Sequence, residues 1–333
     1  MSATTWTRIK GQRRFPMTRR KKGKPIHGWL VLDKGLGMTS TRAVGAVKRL
    51  FDAQKAGHAG TLDPLATGVL PIALGEATKT MPYAVDGEKS YRFTVRFGAE
   101  TDTDDAEGRV VRTGETVPTL PEIEAVLPQF TGEIEQVPPR FSAIKVDGAR
   151  AYDLARDGED VQLQPRVVVV EDLRLVEMPG AAEVVFEAEC GKGTYVRALA
   201  RDMGRALGCF GHVIALRRTK VGPFVEAAAV SLDVLKAAAQ AGEEALTAHL
   251  QPVEAALNDI PAVGVSPSDA ACLAKGQAVL IRGRDAPVMS GAAFAHFKGR
   301  ILALGELEKG SFHPKRVFNF GSAASVSRHK VGT

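Results

Sequence analysis

Cysteine is scarce in this chain of 333 residues: Cys190, Cys209 and Cys272 are the only three. They form an odd set with no Cys-x-x-Cys pair, so neither a disulfide framework nor a thiolate metal cage is expected. Long apolar runs are missing too. Uninterrupted aliphatic stretches such as Val167 to Val170 fall far below the roughly 20 residues that span a bilayer. Hydrophobic residues at 44% and charged residues at 25% are those of a chain that folds, which leaves collagen-like, disordered and membrane-spanning classes out. The length predicts about two domains with enough core to fold without staples.

Acidic residues are absent from positions 1–26, which hold nine of the 44 basic side chains. The formal charge of +6 therefore belongs to this segment. The other 307 residues carry 35 basic against 38 acidic side chains, a net of −3. Such an arm can follow a phosphate backbone, serve as an organellar presequence, or be a solvated terminus. The presequence is the least favoured, because no amphipathic apolar stripe accompanies the charge.

Periodicity places a buried strand at Trp29 to Asp33, stopped by the turn Lys34-Gly35-Leu36-Gly37. Thr39, Ser40 or Thr41 caps a helix with Val44, Val47, Leu50 and Phe51 at helical spacing. Strands follow at Val69 to Leu74 and at Ser90 to Gly98, where Tyr91, Phe93, Val95 and Phe97 alternate with polar residues. Residues 101–108 hold Asp102, Asp104, Asp105 and Glu107 without calcium-loop spacing and read as an acidic surface turn. A helix is expected over Pro121 to Phe130, strands over Glu133 to Lys145 broken at Pro138-Pro139, and a helix over Arg150 to Arg156. Val167 to Glu177 and Ala182 to Cys190 read as paired strands, followed by a helix from Thr194 to Leu207 and a strand from His212 to Val221. Ala227 to Leu257 reads as Ala-rich helix. From Pro261 to Phe320 the texture changes to short strands, at Gln277 to Ile281, Val288, Ala293 to Phe297 and Ile301 to Leu304, the pattern of a small β-barrel. The fold class expected is α+β with a mixed, largely antiparallel central sheet and flanking helices. Four segments are expected: an arm at 1–26, a main α+β domain at 27–257, a barrel domain at 258–320 and a frayed tail at 321–333.

The densest punctuation runs from Gly57 to Pro71, through His58, Gly60, Asp63, Pro64 and Gly68. Glycines and prolines at this frequency fix the shape of a loop, and Pro64 drives Asp63 toward extended geometry. A carboxylate on a rigid loop before a buried strand serves as nucleophile, general base or ligand, or is simply an Asp-Pro turn. No His/Cys/carboxylate cluster has metal-ligand spacing, so no metal and no cofactor are expected.

The run from His58 through Asp63 to Pro71 resembles the catalytic motif of the TruB family of tRNA pseudouridine synthases. Leu32-Asp33-Lys34 with Gly37, Thr39 and Ser40 resembles the family's opening motif, with Gly35 where proline is usual. Lys89-Ser90-Tyr91 followed by Gly98, Thr101, Asp102, Thr103 and Asp105 is similar to the second. Gln136 to Pro139 with Ser142, Ala143, Lys145, Gly148 and Tyr152 matches the middle one. Gly191 to Arg197 and Leu216-Arg217-Arg218 match the last two. The likeness spans about residues 27–225, and the C-terminal strands more weakly resemble a PUA-like RNA-binding domain.

The resemblance implies the pseudouridine synthase fold and isomerisation of uridine to pseudouridine in the T-loop of tRNA, at the position conventionally numbered 55. Asp63 would be the catalytic aspartate and Arg197 the arginine that pairs with it. His58 would stack in the space vacated by the flipped base, Tyr91 would stack on that base, and Tyr195 and Leu216 would line the pocket. Lys192, Arg197, Arg217 and Arg218 are the basic positions expected to meet the tRNA. A stand-alone monomer in the cytoplasm, with no membrane and no obligate protein partner, is expected. A non-catalytic tRNA-folding chaperone on the same scaffold and a guide-RNA-dependent synthase are the alternatives.

Overall fold

The structure, a computed structural model, describes residues 23–142, 144–146, 149–150, 163–281 and 290–321. Most of the basic arm, the expected helix around Tyr152, Ala143 and Gly148, the strand at Val288 and the tail from 322 on lie outside the described residues.

The chain opens with β1 (Gly28–Lys34), α1 (Ser40–Leu50), β2 (Ala56–His58), β3 (Ala66–Leu74), α2 (Met81–Asp86) and β4 (Lys89–Phe97). It continues through β5 (Ala99–Thr101), β6 (Val110–Thr113), α3 (Leu120–Val126), β7 (Gly132–Gln136) and the short pair β8 (Lys145–Val146) and β9 (Ala149–Arg150). Next come β10 (Arg166–Gly180), β11 (Glu183–Cys190), α4 (Val196–Ala206), β12 (Gly211–Val221), β13 (Phe224–Val225), β14 (Val230–Ser231), α5 (Leu232–Ala241) and α6 (Glu243–Thr247). Last are β15 (Ala262–Gly264), α7 (Pro267–Ala274), β16 (Val279–Leu280), β17 (Gly291–Phe297), β18 (Arg300–Glu308) and β19 (Ser311–Val317). Among the described residues no helix is long and apolar enough to cross a membrane.

Ten strands form one sheet in the order β14-β1-β3-β12-β4-β11-β10-β7, with β2 on β3 and β13 on β12. Only β1/β14 and β12/β3 pair in parallel; the remaining pairs are antiparallel. This is the α+β architecture with a mixed, largely antiparallel sheet.

The continuous apolar run of β1 exists because both faces of that strand are covered. Leu30 and Leu32 point into a core with Val47 of α1 and Leu199 and Met203 of α4. Trp29 and Val31 point the other way, into a core shared with Ile301 and Leu304 of β18 and with Phe318. Alternation in β4 has the complementary cause. Phe93, Val95 and Phe97 are buried, while Arg92 and Arg96 face water and pair with Glu177, Glu187 and Glu183 across the sheet. Exposed pairs of this kind contribute little to stability. The C-terminal strands thus cover the β1/β3 half of one face and leave the β4/β11 half open.

Residues 262–317 form a curled five-stranded sheet, ordered β15-β17-β18-β19-β16, with its own core of Val263, Leu273, Leu307 and Phe312. It includes one helix, α7, that the strand-rich texture conceals. The stretch expected to be helical from Ala227 begins differently: Val230 and Ser231 extend the large sheet alongside Leu32 and Asp33. Ser231 then turns the chain into α5, its side chain accepting from Val234 N. Two residues are too few for a strand period to show in sequence.

Gly68 is where β3 and β12 approach most closely. Its φ is +96°, and a Cβ there would lie 2.2 Å from the carbonyl oxygen of Arg218. Both backbone strain and a main-chain clash oppose any side chain. Gly68→Ala is expected to destabilise the protein by about 3 kcal/mol, read as a lower urea midpoint. An unchanged midpoint would show that this register is soft.

Candidate active site

The loop between β2 and β3 is clamped from three directions. Ser40, buried at the start of α1, accepts from Leu62 N at 2.8 Å and donates to Leu62 O at 3.0 Å. Gly37 N donates to Pro64 O at 2.9 Å, tying the turn after β1 to the same loop. From β12, Arg218 donates to Val69 O at 2.9 Å, Gly60 O at 3.0 Å and Thr61 O at 3.3 Å. With both neighbours of Asp63 fixed in this way, its side chain stays 38% exposed on a rigid backbone.

Arg197, in the first turn of α4, meets that carboxylate from below. Its Nε lies 3.0 Å from Asp63 Oδ2, and the guanidinium is only 5% exposed. Nη1 donates to Thr103 O at 2.8 Å and lies 3.5 Å from Asp105 Oδ2, and Nη2 donates to Phe141 O at 2.8 Å. Asp105 is itself held, its Oδ1 accepting from Thr103 Oγ1 at 2.6 Å and from Glu107 N at 3.0 Å. A planar fork with five N–H groups suits such a junction, and lysine could not reproduce it.

The same helix face carries two more arginines, at spacings of four. Arg201 Nη1 lies 3.1 Å from Asp104 Oδ2, and Arg205 binds Glu100 with two contacts of 2.7 Å. Two acids of the expected surface turn, Asp104 and Asp105, are therefore internal, whereas Glu107 is exposed and Asp102 half-buried. Glu100, Asp104 and Asp105 are each 4–6% exposed because α4 lays a ladder of cations against them.

Around this junction the expected pocket residues converge. Tyr91 of β4 stands opposite Arg218 in the β12 register, and Leu216 stands opposite Phe93 and beside Ala66. Burial raises the Tyr91 phenol above its ordinary pKa, with Arg218 pulling the other way. Tyr195 precedes α4, its backbone gripped at both ends by Gln136, which accepts from Tyr195 N at 2.8 Å and donates to Tyr195 O at 3.2 Å. Burial raises its phenol too, and the charge on Asp63 adds to the effect. His58 ends β2. Burial and then Arg218 push its pKa down, favouring the neutral ring, and its Nδ1 is buried with no partner among the described residues.

Two residues behave otherwise than the sequence led us to expect. Arg197 and Arg218, anticipated as contacts to a polyanion, are 4% and 1% exposed, and their donors are directed at backbone carbonyls, Asp63 and Asp105. Lys192 and Arg217 are more accessible, although each has an internal partner: Asp86 at 2.9 Å for Lys192, both carboxylate oxygens of Asp33 for Arg217. Lys34 was not singled out as a site residue. It is fully buried, and its Nζ donates to Met38 O at 2.7 Å, Gly35 O at 3.1 Å and Pro64 O at 3.4 Å. The available signal was a lysine closing a strand whose preceding run, Trp29 to Leu32, is wholly apolar. Among the described residues no three His, Cys, Asp or Glu side chains converge as metal ligands would.

Residues 48–196 match the family described as TruB family pseudouridylate synthase (N terminal domain), and residues 197–258 match the tRNA pseudouridylate synthase B C-terminal domain. The junction of the two matches falls in the first turn of α4. The chain is 60% identical over 316 residues to the tRNA pseudouridine synthase B of Nitrobacter winogradskyi, covering 94% of this chain and 88% of that protein. It is also 60% identical over 315 residues to the protein of the same name from Bradyrhizobium diazoefficiens, with 93% and 91% covered. Its fold is similar to a chain in the crystal structure of a Cbf5-Nop10-Gar1 complex, at a TM-score of 0.68 and 28% identity over 88% of this chain and 85% of that one.

Burial depresses the Lys34 ammonium to about 8, with Asp63 opposing the shift and Arg218 reinforcing it. A folded-state pKa below the unfolded value makes the unfolded chain bind more protons between those pH values. Stability is then greatest above about 10.5 and falls as pH drops toward 8, by at most about 3 kcal/mol from this group. Urea titrations at pH 8 and pH 10 are expected to show a smaller pH increment in Lys34→Met than in wild type. Equal increments would mean that Lys34 titrates normally.

Proposed function

The chain belongs to the TruB family of pseudouridylate synthases, and from that premise we propose that it isomerises uridine to pseudouridine in the T-loop of tRNA, at position 55. It is an RNA pseudouridine synthase. The single observation that carries this reading is the half-exposed Asp63 carboxylate held 3.0 Å from a buried guanidinium.

The reaction needs three events in one pocket. The C1′–N1 bond breaks, the uracil rotates, and C5 joins C1′ while the C5 proton is released and N1 gains one. Atoms and electrons balance without an oxidant. The target uridine must first leave its stack, at a cost of a few kcal/mol. His58 stacks in the vacated space; its neutral ring, favoured by burial, suits an apolar gap. Tyr91 stacks on the flipped base; burial favours its protonated phenol, so a part in removing the C5 proton requires the phenolate, the form that the neighbouring Arg218 favours. Tyr195 and Leu216 line the pocket.

Asp63 is the catalytic residue. Attack on the sugar, attack on the base and proton removal from C2′ all require a carboxylate within bonding reach of the nucleotide. The rigid loop supplies that carboxylate, and Arg197 orients it.

The stand-alone form is favoured by identity: 60% to proteins named tRNA pseudouridine synthase B against 28% to the chain seen in a Cbf5-Nop10-Gar1 complex. On this reading the protein acts as a cytoplasmic monomer on tRNA, without an obligate protein partner. Its free cysteines accord with a reducing compartment. Residues 27–257 form the catalytic domain and 258–320 a PUA-like RNA-binding domain, the latter supported by its separate core.

Asp63→Asn is expected to lower tritium release from C5-labelled uridine in a T-arm RNA by about a thousandfold or more. Affinity for the same RNA is expected to stay within about threefold, because the substitution preserves shape. Release at the wild-type rate would remove Asp63 from the chemistry.

A further inference from the structure

Asp104 is a buried acid that the reaction as described does not use. It sits between the two residues that hold Arg197: Thr103, whose carbonyl accepts from Nη1 at 2.8 Å, and Asp105, whose carboxylate lies 3.5 Å from the same nitrogen. Its φ is +60°, a left-handed conformation that a non-glycine residue keeps only where its surroundings enforce it. Three contacts enforce it. Asp104 N donates to Thr101 O at 3.2 Å, Asp104 O accepts from Val213 N at 3.1 Å, and the side chain meets Arg201 at 3.1 Å. Arg201, 6% exposed, is in turn fixed by Asp202 at 2.8 Å and by Val137 O at 2.7 Å.

We propose that the Asp104–Arg201 pair is a positioning device for the isomerisation: it locks the turn between β5 and β6 so that Thr103 and Asp105 present Arg197 to Asp63. Neither residue touches the nucleotide. Of the three contacts that Asp104 makes, only this one depends on charge. Removing the Asp104 charge leaves Arg201 a buried cation with one carboxylate fewer, and the turn loses one of its two anchors on α4, leaving only the contacts of Arg197 with Thr103 and Asp105. The displacement reaches Asp63 through one rigid guanidinium.

The arrangement also makes the site sensitive to pH. Burial pushes the Asp104 carboxyl up to about 6, against the attraction of Arg201 and then Arg197. The charged and titratable groups around it are Arg197, Arg201 and Arg205 from α4, Glu100 from β5, Asp105 in its own turn and His212 on β12. Below about pH 6 the pair becomes a neutral acid facing a cation. The rate then falls toward a lower plateau.

This inference rests on the reading that Asp63 carries the reaction. Its test is the single-turnover rate of tritium release at saturating T-arm RNA, from pH 5 to 8, on the full chain. Wild type is expected to lose about tenfold toward pH 5. Asp104→Asn is expected to sit near that low plateau across the whole range, with RNA affinity within twofold of wild type. A purely structural role would lower the melting temperature and leave the pH profile in place. Should Asp104→Asn not fold, Arg201→Gln decides: it breaks the same pair from the other side, so its rate is expected to lie near the low plateau from pH 5 to 8. An Asp104→Asn or Arg201→Gln variant that folds and tracks the wild-type profile overturns the proposal. A wild-type protein inert at every pH would overturn the function itself instead.

Discussion

A guanidinium taken out of water is tolerated only where its N–H groups find acceptors. The Arg197 side chain finds Asp63, Asp105 and the carbonyls of Thr103 and Phe141. Those partners come from the β2–β3 loop, the turn between β5 and β6 and the segment after β7, three places far apart in sequence. One side chain therefore brings together pieces that no secondary-structure element connects. The carboxylate at the site is not a flexible acid waiting in a cleft; it is the exposed end of an internal ion-pair network.

The sheet explains why such a junction can exist. Placing β12 between β3 and β4 sets Arg218 against the backbone of the β2–β3 loop and against Tyr91 at once. Gly68 is required at that crossing because the two backbones leave no room for a Cβ. Lys34 does at the other end of the loop what Arg218 does at this one, filling a set of inward carbonyls with a buried cation. Both charges cost desolvation, and their pKa values are lowered accordingly. The molecule accepts that cost because a loop this polar and this enclosed needs donors.

Much of this was legible in the residues. Glycine and proline spacing marked the Asp63 loop as rigid, the alternation in β4 marked its half-buried face, and the apolar run of β1 marked a buried strand. What escaped has a common cause: a charged residue in a sequence carries no sign of its burial. Asp104 and Asp105 look solvated until they are set beside Arg197, Arg201 and Arg205, which lie about a hundred residues on and share a helix face only through their spacing. Arg197 and Arg218 look like phosphate contacts for the same reason. Lys34 looked like the end of a strand. The arginine spacing of four beside an acidic run was the pattern that could have revealed the ladder, but only if the two segments were already known to be neighbours.

In the proposed reaction the geometry of the Arg197 fork, not its charge alone, holds Asp63 ready for the nucleotide. Arg197→Lys keeps the charge and removes the fork, so its single-turnover rate on T-arm RNA measures the claim directly. The expected result is a loss of about a hundredfold in rate with RNA affinity nearly unchanged. A rate within a few-fold of wild type would show that a point charge suffices and that the fork geometry is not needed.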